Sequence, residues 1–327
     1  MKRTPMEREE ANETTEGLQL AQWIAQASSV PSRNKAKTVI ASGKVKLNGE
    51  WTTSTDAGRR ISRGDRFEIH WDRPGTSKPH TSAHRELLSK GLDIVLEDEF
   101  IVALNKPAGL LTDSATRQQE RERPNARKLM TAYLKPQKKR PTIVHRIDRD
   151  TSGIVLFAKN PATADKLKKT FRDHTIGRHY WVAVQGGPRE DTGTWEDWVF
   201  WDPKNNVLRK SLPNHPKAKK ATAHFTVVSR HDDVTILHVE LVTGKRNQIR
   251  FQCQERQHPL CGERLYTPPE WTAIGPPCPR QALHALRLEL EHPISGKPVK
   301  IEAPLPPELQ TFVQKLRDVR ETAWPHP

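Results

Sequence analysis

The sequence of 327 residues predicts a two-domain α+β protein, a small helix-and-hairpin module followed by a domain built on a large mixed, mainly antiparallel sheet flanked by helices and loops. Three observations predict it. Helical periodicity stops near residue 43 and gives way to short alternating strands; Pro, Ser, Thr and charge crowd residues 73–90; beyond them, strand-like apolar runs far outnumber helical ones. A chain of this length can bury one good-sized core and a second, smaller one.

Residues 1–16 are polar and charged without apolar periodicity and read as a disordered arm. The small module is expected over 17–72. Leu18, Leu20, Ala21, Trp23, Ile24 and Ala27 line one face of a short helix, and after Pro31 a second runs from Ser32, its cap candidate, to Ile40. Gly43 ends that helix. Val45-Lys46-Leu47 alternates as a strand, Asn48-Gly49 marks a tight hairpin turn, and Gly64-Asp65 precedes a strand at Phe67 to Trp71. Residues 73–91 read as a linker, 92–310 as the larger domain and 311–327 as a C-terminal helix and tail. In that domain strands are expected at 94–96, 101–104, 154–158, 180–184, 223–228, 234–242 and 286–290, and helices near 126–134 and 162–174. The Pro-rich run Pro268 to Pro279 reads as an insertion or long loop.

Lys and Arg number 54 against 39 Asp and Glu, a net charge of +15 at pH 7 that favours a polyanionic partner, nucleic acid before an acidic membrane. No run approaches the roughly 18 apolar residues of a spanning helix, and the first residues lack the apolar core of a signal peptide. A cytoplasmic location is expected. Cys253, Cys261 and Cys278 are odd in number and not spaced like zinc ligands, so neither a disulfide framework nor a structural metal is expected.

The run His145-Arg146-Ile147-Asp148-Arg149-Asp150-Thr151-Ser152-Gly153 leads straight into the apolar stretch Ile154 to Ala158. Charges crowded at the mouth of a buried strand carry a desolvation cost. A reactive carboxylate held in a basic groove accounts for them. Structural alternatives stand beside that reading: Asp148 as a turn or ion-pair residue, Asp150 as an organiser of the turn through side-chain-to-backbone bonds, and His145 as a hydrogen-bonded loop residue.

Further blocks follow in order: Glu97 to Leu110, His145 to Asn160, Tyr180 to Val184 with Gly186, Thr243 to Arg250, Pro259 to Tyr266 and Leu283 to Pro293. Together, over about residues 92–305, they resemble the RluA family of pseudouridine synthases. Ser32 to Ala36, Ile40 to Gly49 and Gly64-Asp65 resemble the αL-type RNA-binding domain named for a small-subunit ribosomal protein, an S-four-like module. The resemblance implies conversion of selected uridines in RNA to pseudouridine, the base leaving its glycosidic nitrogen, turning, and rejoining the ribose through carbon 5, with no cofactor or metal. It implies that Asp148 is the essential carboxylate, acting on the base, on the ribose or towards a glycal. It places a partner arginine at Arg250, a uracil-stacking tyrosine that also serves proton transfer at Tyr180, and an apolar residue against the base at Leu283.

Chemically, the carboxylate must be ionised and aimed, and a close guanidinium can pull its pKa down by about 1–3. Taken alone, Tyr180 reads as core and Arg250, alternating with Ile249, as a surface charge. A stacked uridine has to be extruded, and Arg146, whose planar guanidinium stacks on bases, is the candidate to fill the gap. Lys106 either contacts RNA or supports the turn at Pro107-Ala108-Gly109. Arg33, Lys35, Lys37 and Lys44 offer cations to phosphates from the small module, as does the basic run Arg117 to Arg140.

Two departures stand out: Lys245-Arg246-Asn247 where the family usually shows Arg-Thr-His, and Gly262-Glu263 where it usually shows Gly-Asp. Both bear on RNA specificity and loop packing. The expected function is an RNA pseudouridine synthase, monomeric, acting on ribosomal RNA with the large subunit favoured; the alternatives are a transfer RNA synthase and a non-catalytic RNA-binding or ribosome-assembly factor. A kinase-like reading of His145-Arg146 fails, because the aspartate comes one residue late and no Gly-rich nucleotide loop precedes it.

Overall fold

The computed structural model describes residues 6–41, 43–70, 92–114, 124–267 and 270–316. The expected linker, like Arg117, Arg121 and Arg123 of the basic run, lies outside them. The chain forms two compact units, 1–103 and 104–327, the division falling inside the strand Ile101–Lys106.

In the first unit, β1 (Met6–Glu10), α1 (Leu20–Ala27), α2 (Arg33–Ala41), β2 (Val45–Leu47), β3 (Glu50–Trp51) and β4 (Arg66–His70) build a four-stranded sheet in the order β1-β4-β2-β3 beneath two helices. Leu20, Trp23 and Ile24 of α1 and Ile40 of α2 bury against Val45, Phe67 and Ile69, with Trp23 edge-on to Phe67 at 4.6 Å between centroids. Ser32 Oγ accepts from Lys35 N at 3.3 Å, as a cap does, and Asn48 and Gly49 make the turn at φ 52° and 85°. The expectation of a disordered arm is corrected at Met6–Glu10. This strand pairs antiparallel with β4 by backbone hydrogen bonds while its side chains stay largely exposed, so apolar periodicity could not reveal it. Two further strands, β5 (Asp93–Glu97) and β6 (Ile101–Lys106), are joined by a turn in which Asp98 accepts from the N–H groups of Phe100 and Ile101.

The second unit continues with α3 (Ala126–Leu134), β7 (Thr142–Ile143), β8 (Ser152–Ala158), α4 (Pro161–Arg172), β9 (Gly177–Gln185), β10 (Thr192–Asp202), β11 (Val207–Lys210), β12 (Lys219–Arg230), β13 (Val234–Leu241), α5 (Gln248–Glu255), β14 (Leu283–Glu291), β15 (Pro298–Glu302) and α6 (Pro307–Gln314). Its strands run in the order β11-β10-β12-β13-β9-β14-β8, with β15 on β14 and β7 on β8. Every pairing is antiparallel except β14 with β8. The fold is α+β, as expected. Asn125 and Asn160 cap α3 and α4 by accepting from Lys128 N and Thr163 N at 2.9 Å each. The parallel contact is tight. Gly153 adopts φ 109°, and a Cβ there would lie 2.2 Å from the carbonyl oxygen of Ala285.

In the second unit five elements went unforeseen: β7, β10, β11, β15 and α5. The last matters most, because Arg250 lies on this helix and not on the strand that its alternation with Ile249 suggests. Its sequence, QIRFQCQE, has no apolar stripe, since it is buried on nearly every side. Its glutamines are satisfied internally: Gln248 Nε2 donates to Thr222 O at 3.1 Å and Gln252 Nε2 to Ala221 O at 3.2 Å. The last helix, α6, begins at Pro307, before the expected break at 310, and buries Leu309 and Phe312 with Trp181, Ala183, Ile236 and Ala282 of the sheet body. Among the described residues no helix is long and apolar enough to cross a membrane.

Candidate active site

The loop from Val144 to Thr151, between β7 and β8, is pinned at many points. Thr112 Oγ1 donates to Ile147 O at 2.8 Å and accepts from Ile147 N at 3.3 Å; Gly109 N donates to Arg149 O; Thr151 N closes a turn onto Asp148 O at 3.2 Å. His145 is the hydrogen-bonded loop residue expected: Nε2 accepts from Leu156 N at 2.9 Å, the ring stacks on Phe171, and burial, helped by the Arg178 charge, pushes its pKa down to about 3. Asp150 departs from expectation. Its carboxylate pairs with the neighbouring Arg149 at 3.0 Å instead of bonding the turn backbone.

Lys106 is also corrected. Its side chain is fully buried and Nζ donates to the carbonyls of Pro107, Leu110 and Arg149 at 2.8–3.0 Å, so it supports the turn and the loop and does not line the cavity where substrate would sit. Burial, ahead of the Arg280 charge, lowers its pKa to about 7.

One cavity of about 490 Å³ opens onto this loop, and Arg146, Asp148, Tyr180, Arg250 and Leu283 all line it. The strand β9 supplies Tyr180, the first residue of β14 supplies Leu283, and α5 supplies Arg250. Tyr180 is buried, and that burial pushes its phenol up to about 12, with Arg178 opposing and Asp148 reinforcing the shift. The hydroxyl is therefore neutral at physiological pH. Arg146 is exposed at the rim.

The charge arrangement differs from the one expected of Arg250. Its guanidinium makes a fork with Glu263, Nε to Oε2 at 2.8 Å and Nη2 to Oε1 at 2.6 Å, while Nη1 stands 3.7 Å from Asp148 Oδ2. The expectation that Arg250 holds the Asp148 pKa down is thus only partly met. Burial pushes Asp148 up, and Arg250, Arg146 and Arg246 pull against it without reversing the direction. Burial also pushes Glu263 up, but there the Arg250 hydrogen bonds and charge, with the N–H groups of Leu265 and Arg264, leave it below its ordinary value.

The cavity lining also carries cations: Arg172, Arg178, Lys245 and Arg246 join Arg146. Arg178 Nη2 donates to Leu241 O and Val242 O at 3.1 and 2.8 Å, fixing the guanidinium under Gly244, where a Cβ would meet Nη1 at 2.3 Å. In the first unit Arg33, Lys35 and Lys37 are exposed on α2, and Lys44 is half-buried just before β2. Among the described residues no group of three or more His, Cys, Asp or Glu is placed to hold a metal ion.

Comparison with known proteins gives this geometry its context. Residues 100–255 match the RNA pseudouridylate synthase family and residues 19–67 the S4 domain family. An uncharacterised RNA pseudouridine synthase of Synechocystis is 31% identical over 310 residues, 93% of this chain and 91% of that one. The chain belongs to the RluA family of RNA pseudouridine synthases. A ribosomal large subunit pseudouridine synthase D of Haemophilus ducreyi is 30% identical over 92% of this chain and 91% of its own. Among solved structures, human RNA pseudouridylate synthase domain containing 4 shares the fold, at a TM-score of 0.57 and 18% identity over 70% of this chain and 95% of that one.

Within this isomerase the structure adds residues that the sequence did not single out. Arg178 lies two positions before Tyr180 on the same face of β9, a period-2 signal that was available. Glu263 and Asn247 sit at the two departures from the family pattern, and both converge on the Arg250 and Asp148 side of the cavity.

Proposed function

We propose that Asp148 is the reacting carboxylate of a uridine-to-pseudouridine isomerisation in large-subunit ribosomal RNA. One observation carries the assignment: Asp148, held by a pinned loop, shares a single cavity with Arg250, Tyr180 and Leu283 in a chain of this family. Tyr180 and Leu283 offer the flat and apolar contacts a flipped uracil needs, and Arg146 at the rim can stack where the base was. The cationic lining suits the phosphates on either side of that nucleotide. Attack on the base, attack on the ribose and passage through a glycal all require an ionised, aimed carboxylate; the neutral Tyr180 hydroxyl, lining the same cavity, can relay the proton leaving carbon 5 by giving up its own as it takes that one.

Support for ribosomal RNA comes from the relatives named ribosomal large subunit pseudouridine synthase D, from Haemophilus ducreyi and Zymomonas mobilis, each 30% identical over more than nine-tenths of this chain. The RNA-binding fold of residues 19–67 agrees with a structured RNA.

Release of tritium from RNA labelled at uridine carbon 5 tests the activity. The protein releases it from ribosomal RNA, and Asp148→Asn abolishes release while RNA affinity stays within a few-fold. No release from any cellular RNA would leave only a binding role, and release from transfer RNA alone would overturn the substrate.

A further inference from the structure

Asn247 lies between Asp148 and the loop that carries Glu263. It is buried, it caps α5 in the left-handed region at φ 58°, and its carbonyl accepts from Phe251 N at 3.0 Å. Its amide has two possible orientations. In one, Nδ2 donates to Asp148 Oδ2 at 2.7 Å and Oδ1 at 3.1 Å, while Asn247 Oδ1 accepts from the Tyr266 hydroxyl at 3.3 Å. In the other, Oδ1 accepts from Arg250 Nη1 and Nδ2 donates to the Tyr266 oxygen, each at 3.3 Å, but an amide oxygen is set 2.7 Å from a carboxylate oxygen. With Asp148 ionised, repulsion at that distance selects the first orientation. The first also completes a relay, because the Tyr266 oxygen accepts from Leu208 N at 2.7 Å and keeps its own proton free to donate to Asn247.

We propose that Asn247 is a positioning residue that aims the Asp148 carboxylate through its amide nitrogen, a task that Arg250, committed to Glu263, performs only from 3.7 Å. The proposal rests on the reading of Asp148 as the reacting group. Donated hydrogen bonds stabilise the charged form of a carboxylate, the direction opposite to the push that burial gives Asp148. The other groups facing Asp148 are Arg146 on its own loop, Arg246 and Arg250 from the segment through α5, Glu263 and Tyr266 from the next loop, Tyr180 on β9 and Lys106 at the end of β6. The amide has no charge to gain or lose. A histidine at this place, the usual family residue, can gain or lose a proton.

Asn247→Gly is the decisive variant, since glycine keeps the left-handed backbone at no steric cost and removes only the amide. Two measurements read it: kcat and KM for tritium release from pH 5 to 9, and titration of the Asp148 carboxyl by carbon-13 NMR, assigned by difference against Asp148→Asn. The expected result is a kcat lowered about 10- to 100-fold with KM within a few-fold, the size of loss seen when a hydrogen bond that orients a metal ligand is removed. The acid limb of kcat and the Asp148 titration both move to higher pH. Tyr266→Phe, which removes the hydroxyl that fixes the amide, gives a smaller shift of the same sign. An unchanged kcat, or a fall with neither the acid limb nor the titration moved, would overturn the proposal. The titration stands apart from turnover, so a wild type that releases no tritium refutes the function while the carboxyl shift still decides the role of Asn247.

Discussion

The buried pair of Arg250 and Glu263 makes a quantitative test of how the cavity is built. Their side chains are 11% and 0% exposed and are joined by two short hydrogen bonds, and Glu263 Oε1 also accepts from the N–H groups of Arg264, Leu265 and Tyr266. Glu263→Gln keeps the volume and removes the charge, leaving a guanidinium whose nearest carboxylate is Asp148 at 3.7 Å. Breaking a buried pair from one side costs about 3–5 kcal/mol. In a unit of this size each kcal/mol lowers Tm by about 2–4 °C, so a fall of roughly 6–20 °C is expected. Urea unfolding should show a lower midpoint with an unchanged slope.

The pH dependence supplies a second reading. Glu263 in the folded protein lies below its ordinary 4.5, so the stability it contributes is full above that value and is lost as pH falls through the lower, folded one. The difference between wild type and Glu263→Gln should therefore shrink on acidification below about pH 4.5. The double variant Arg250→Met with Glu263→Gln removes both charges and keeps an acceptor for the N–H groups of Arg264, Leu265 and Tyr266; it should regain most of the lost stability and, lacking Arg250, release no tritium. A single variant within about 1 kcal/mol of wild type, or a double variant no more stable than the single, would refute the reasoning.

Two further outcomes follow from local geometry. Gly153→Ala forces a side chain to φ 109° and onto Ala285, straining the backbone by about 1–3 kcal/mol before any clash is counted, so amide exchange should rise along β8 and β14; unchanged protection there would contradict the tight parallel contact. In the first unit, Arg33→Ala with Lys37→Ala should weaken RNA binding and flatten its salt dependence by about 0.7–0.9 in log–log slope for each phosphate no longer neutralised; an unchanged slope would show that α2 does not meet the backbone of the RNA.

Much of the fold could be read from residue order because continuous apolar runs mark strands buried on both faces, as at Ile154 to Ala158, and because Asn48-Gly49 and Gly43 punctuate the small module. What escaped did so for physical reasons. Met6–Glu10 is held by backbone pairing and buries almost nothing, and α5 buries polar side chains in internal hydrogen bonds, so neither carries a hydrophobic period. At the site, the motifs located Asp148, Tyr180, Arg250 and Leu283, which are far apart in the chain and meet in one cavity. The motifs could not show how Arg250 divides its bonds between Glu263 and Asp148, or which way the Asn247 amide turns, since both depend on the loop after Pro259 folding back onto α5.

The fork between Arg250 and Glu263 bears on the reaction coordinate itself. On each of the proposed routes Asp148 gives up its negative charge for part of the turnover, by bonding through an oxygen or by taking a proton. An arginine relying on Asp148 alone would at that moment be a buried cation without a counter-ion, and its reorganisation would add to the barrier. Glu263 holds the guanidinium neutralised throughout, so the field at Asp148 is fixed before, during and after the charge disappears.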